Sequence, residues 1–160
     1  MIFNASIDAD DPCRVALILA EIIGGRAGPF AAIGEGSWVA VAGDGFGTMI
    51  EVYPRGTELH RAPAGLDAYG LAGMPRGNGA FHLALGTELS TAQVYAIGAR
   101  EGWPTKYCRR GGAFGVIELW IDDRLMVEVL THEMQREYID TISIASLADL
   151  GTDPSRLFGS

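Results

Sequence analysis

Alternating apolar and polar positions mark "FHLALGT" (81–87) as a strand, with Phe81, Leu83 and Leu85 on one side and His82, Ala84 and Gly86 on the other. After Ser90 and Thr91, either of which suits a helix N-cap, the apolar spacing changes to a helical stripe that stops at Gly102. The same succession occurs at the start of the chain. At a shift of 78 residues, Phe3 falls on Phe81, Ile7 on Leu85, Ala16 on Val94, Leu19 on Ile97 and Gly24 on Gly102. In the first copy Asp11 is the cap residue and Pro12 takes the first helical position.

Period-2 segments follow each helix. "SWVAVAGDGFGTMIEVYP" (37–54) reads as a hairpin around Asp44-Gly45-Phe46-Gly47, and "FGVIELWIDDRLMVEVLT" (114–131) as one turning at Asp122-Asp123-Arg124. A two-residue turn at Gly45-Phe46 would set Glu51 opposite Ala40 and Trp38 opposite Tyr53. In the second hairpin a three-residue loop sets Ile121 opposite Leu125, Trp120 opposite Met126 and Glu118 opposite Glu128. A two-residue loop there would mix the apolar and polar faces, so the pattern selects the register. The expected fold class is α+β: each half reads as strand, helix, then at least two further strands, and a C-terminal helical tail follows. Module one covers about 2–55, a Gly- and Pro-rich connector 56–79, module two 80–131 and the tail helix 132–150, within a single domain of 1–160. In the tail, Met134, Tyr138 and Ile142 fall at helical spacing, so that helix should cover either this chain's sheet or a partner's.

Composition narrows the classes of partner. A formal net charge of -8 argues against nucleic acid, whose phosphates need a basic face. The basic cluster Lys106, Arg109 and Arg110 reads as a solvated strand edge, or as a fork for a small anionic group. No apolar run is long enough to span a membrane, and a signal-type start is not expected. Cys13 and Cys108 form neither a disulfide framework nor a metal-type pair, which fits a cytoplasmic protein.

Candidate chemistry gathers on the faces turned away from the helices. Asn4, Ser6, Glu51 and Tyr53 come from module one, and His82, Glu118 and Glu128 from module two, beside Trp38, Trp120 and Met126 as pocket lining. Two carboxylates opposed across strands repel, so Glu118 and Glu128 require a metal, an arginine or a retained proton.

At these positions the sequence resembles the vicinal oxygen chelate superfamily, the glyoxalase, bleomycin resistance protein and dioxygenase group, over about residues 2–131. The segments "FHLALGT", "TMIEVYP" and "LMVEVL" carry the resemblance. It implies a glyoxalase-like fold of two βαβββ modules forming a cupped mixed sheet, a homodimer, and a small-molecule ligand or substrate. It further implies a divalent metal (Zn, Ni, Mn, Co or Fe) held by residues matching Asn4, Glu51, His82 and Glu128. Asn4 departs from the pattern, because metal-binding members usually carry histidine there, and an amide oxygen binds borderline metals more weakly than imidazole does. His60 in the connector and His132 after the last strand are less suited to replace it.

Two functions are compatible with this reading. One is a metal-dependent lyase or isomerase that stabilises an enolate or alkoxide, with Glu118 or Glu51 as general base. Ring cleavage fits less well, since Asn4 removes one histidine from the usual iron triad. The other is a metal-free protein that sequesters a small molecule, as bleomycin-resistance members do.

Overall fold

In the computed structural model, residues 2–31, 34–64, 66–75 and 77–143 are described. The chain divides into two units, Met1–Ala80 and Phe81–Ser160.

The first unit opens with β1 (Asn4–Ala9) and α1 (Pro12–Ile22). Asp11 caps the helix by accepting a hydrogen bond from the Arg14 backbone N–H at 3.0 Å. Val15, Leu19 and Ile22 form the buried stripe of α1, and the chain leaves it through Gly24 at φ +65°. Three strands follow: β2 (Arg26–Pro29), β3 (Trp38–Val41) and β4 (Met49–Pro54). They assemble in the order β1-β4-β3-β2, with β1 parallel to β4 and the remaining pairs antiparallel. The apolar face of this sheet, with Ile7, Ala40, Ile50 and Val52 buried, packs against α1.

The β3–β4 register corrects the sequence expectation. Trp38 pairs with Val52, Val39 with Glu51 and Ala40 with Ile50, one residue away from the pairing a Gly45-Phe46 turn would impose. The loop is longer than that turn. Ala42 N–H bonds to Thr48 O at 2.9 Å, the Asp44 carboxylate accepts from Phe46 N–H at 2.8 Å, and Gly45 and Gly47 both adopt positive φ. The slip moves Trp38 onto the face of Ile50 and Val52, away from Glu51 and Tyr53.

The connector is more ordered than its composition suggests: β5 (Thr57–His60) and β6 (Tyr69–Ala72) form an antiparallel two-stranded ribbon. His60 stacks on Tyr69, its partner across that ribbon, with ring centroids 5.8 Å apart.

The second unit repeats the first. It contains β7 (Leu83–Gly86), α2 (Thr91–Glu101), β8 (Thr105–Arg110), β9 (Phe114–Ile121) and β10 (Leu125–Leu130), ordered β7-β10-β9-β8. Ser90 caps α2 through a capping box with Gln93, and Gly102 ends the helix at φ +73°. Here the register agrees with the sequence: Ile121 faces Leu125, Trp120 faces Met126 and Glu118 faces Glu128. Asp122 and Asp123 close the loop in the left-handed region, which short acidic side chains tolerate.

The last helix, α3 (His132–Thr141), packs on β9 and β10 of its own unit. Met134 is buried, Phe114 and Tyr138 meet edge to face, and Glu137 accepts a bond from Gly115 N–H at 2.8 Å. Ile142 leaves helical geometry at ψ 106°, and positions 144–150 of the expected tail helix lie outside the described residues.

Candidate functional site

Parallel pairing of β1 with β4 aligns Ser6 with Glu51, and strand alternation adds Asn4, Asp8 and Tyr53 to the same face. Glu51 is buried, only 8% exposed, and three neutral side chains donate to it. Ser6 Oγ reaches Oε2 at 2.7 Å, Asn4 Nδ2 reaches Oε1 at 3.3 Å, and Tyr53 Oη also donates to Oε2. Burial, reinforced by the adjacent carboxylate, pushes the Tyr53 phenol up to about 12, so at neutral pH it keeps its proton. Val39 stands opposite Glu51. Farther along the same face is a cluster the sequence reading did not find: Arg55 bonds Asp8 at 3.2 Å and Asp10 at 2.9 Å, and Gly56 N–H bonds Asp8 at 2.8 Å. Arg55 directly follows "EVYP", a position that signals nothing locally.

In the second unit the position opposite the equivalent glutamate, Glu128, is not apolar but acidic. Glu118 faces it across the ladder, and Arg110 from β8 joins both. Arg110 Nη2 donates to Glu118 Oε1 at 2.8 Å, Arg110 Nε to Glu128 Oε1 at 2.9 Å, and Nη2 also bonds Glu128. Trp120 Nε1 donates to the other Glu118 oxygen at 3.3 Å, and the Met126 sulfur lies 3.8 Å from Arg110 Nη2. Of the three compensations open to the acidic pair, this unit uses the arginine. Burial works against charge on Glu118, yet its bonds from Arg110 and Trp120 hold the carboxyl below the usual range. Burial likewise opposes the Arg110 charge, and the two glutamates more than offset it. The Cys108 thiol is pushed up by burial and by the nearby Glu118.

His82 is exposed and stands one residue ahead of β7, which begins at Leu83. His132 is the first residue of α3. The structure therefore groups Asn4, Glu51 and Tyr53 in one unit, and Glu118, Glu128, Trp120 and Met126 in the other, while Trp38 belongs to an apolar face.

No family model matches the sequence, and no curated protein matches it. Among solved structures, the chain is similar to glyoxalase I of Leishmania major at 15% identity and a TM-score of 0.51, covering 96% of this chain and 99% of that one. It is also similar to lactoylglutathione lyase from Agrobacterium tumefaciens at 13% identity and a TM-score of 0.53, covering 83% of this chain and 94% of that one. The fold is glyoxalase-like. It is the fold expected of the superfamily that the sequence resembles, and among the described residues no helix is long and apolar enough to cross a membrane.

A glyoxalase-like fold raises the question of a divalent metal. Within either unit, no three His, Cys, Asp or Glu side chains among the described residues are placed to hold one. The donor set expected from sequence takes two residues from each unit, and in the second unit Glu128 does not fit the role as it stands. The Glu128 oxygen Oε1 already accepts from a guanidinium, so a dication there would meet a fixed positive charge at hydrogen-bond range.

Proposed function

We propose that the protein is a glyoxalase-like lyase or isomerase acting on a small, oxygen-rich molecule, with Glu51 as its proton acceptor. One observation carries this reading: Glu51 is a buried carboxylate on a polar sheet face whose bonded partners are all neutral. Its charge is oriented without being cancelled, as a general base requires. Tyr53, still protonated at neutral pH, holds Glu51 with its single O–H, and once Glu51 has taken up a proton that O–H is released to turn to the oxygen on which charge develops. Glu118 is the weaker candidate, since Arg110 and Trp120 hold its carboxyl below the usual range.

The test is solvent-deuterium exchange at the carbon beside the carbonyl, followed by NMR on a panel of lactoyl thioesters, 2-hydroxy acids and 2-oxo acids. Exchange with at least one member, slowed about 100-fold or more in Glu51→Gln, is the expected result. Binding without exchange, equal in wild type and Glu51→Gln, would overturn it in favour of sequestration.

A further inference from the structure

We infer that Arg110 is the resident cation of the second unit: it takes the place a divalent metal would occupy between Glu118 and Glu128, and closes that unit to metal.

The two units share strand order and differ where their glutamates lie. Opposite Glu51 is Val39, which needs no compensation, and Glu51 is held by neutral donors. Opposite Glu128 is Glu118, and two facing carboxylates on a half-buried sheet face cannot both remain charged without a cation. Lys106 pairs with Glu118 on the β8–β9 ladder but is exposed, and it is Arg110 whose guanidinium bonds both carboxylates. On the same ladder Arg110 pairs with Phe114, which places it on the face of Glu118, four residues along β9. Its side chain spans that distance and puts one guanidinium against both carboxylates, with the Met126 sulfur beside it. All three charged side chains are mostly shielded, at 24%, 15% and 10% exposure for Arg110, Glu118 and Glu128. A guanidinium keeps its charge at any ordinary pH and bonds as a planar fork, so it cannot be titrated away as a histidine could. The triad carries one net negative charge, and removing Arg110 would leave two on adjacent oxygens, the hard donor set that suits manganese.

The inference does not rest on the proton-transfer reading, and its readout is metal occupancy. The experiment titrates Mn²⁺ into the full chain and follows free Mn²⁺ by electron paramagnetic resonance. Wild type is expected to bind no more tightly than Glu118→Gln/Glu128→Gln. Arg110→Gln is expected to gain a site at least about tenfold tighter than wild type, lost again in Arg110→Gln/Glu128→Gln. Arg110→Lys, which keeps the charge, should still exclude the ion. Should Arg110→Gln fail to fold, the comparison of wild type with Glu128→Gln decides. Stoichiometric Mn²⁺ on wild type that disappears in Glu128→Gln would overturn the inference, as would an Arg110→Gln protein with no gain.

Discussion

Glu118 and Glu128 face each other across the β9–β10 ladder, and a single guanidinium, that of Arg110, bonds to both. The pair is thus a three-body unit whose members depend on one another. Arg110→Met should destabilise the fold by about 1–3 kcal/mol, below the figure for fully buried pairs because some solvent reaches all three groups. Adding Glu118→Gln should recover part of the loss by removing the repulsion. Urea denaturation of the two single variants and the double variant measures the coupling, and strictly additive losses would contradict it.

Tyr53 should titrate late. Its phenol is pushed up to about 12 by burial and by Glu51, so the ultraviolet absorbance of tyrosinate should show a step well above pH 10 that belongs to this residue. Tyr53→Phe should remove the late step and cost about 1–2 kcal/mol, the usual penalty for a buried acceptor deprived of a donor.

Glu137 ties α3 to β9 and β8 by accepting bonds from Gly115 N–H and Arg109. These bonds, the Gly115 contact first, hold its carboxyl below the usual range. A depressed carboxylate contributes stability that is complete above the unfolded value and lost as pH falls through the folded one. Undocking of α3, read from hydrogen exchange at Gly115, should therefore set in below about pH 4. Glu137→Gln should flatten that dependence.

Gly98 lies in α2 where any Cβ would overlap the Thr105 hydroxyl. Gly98→Ala should cost about 1–3 kcal/mol despite the better helix propensity of alanine. Thr105→Ala in the same chain should restore part of it, and thermal melts of the pair provide the check.

The two hairpins show what sequence by itself determined and what it left open. In β9 and β10 polar and apolar residues alternate, so a slip of one residue would bury Glu118 and Glu128 among Ile117 and Leu119. The pattern admits one register, which is the one observed. The duplicated strand-helix order was equally legible, because each copy carries its own cap, helical stripe and terminal glycine, whereas the first strand after each helix, β2 or β8, had no comparable alternation to mark it. β3 reads Trp-Val-Ala-Val, apolar on both faces, so nothing in the pattern resists a slip. The seven-residue stretch between its ladder and that of β4 allows more than one loop, and Asp44 with its flanking glycines chose the longer one. Tertiary structure alone therefore decided that Trp38 lies away from Glu51. It also decided which cation answers the acidic pair. Charge counting along the chain required one, but only the β8–β9 register carries the Arg110 side chain back to Glu118 and Glu128. That contact joins residues 8 and 18 positions apart, whose meeting no local periodicity encodes.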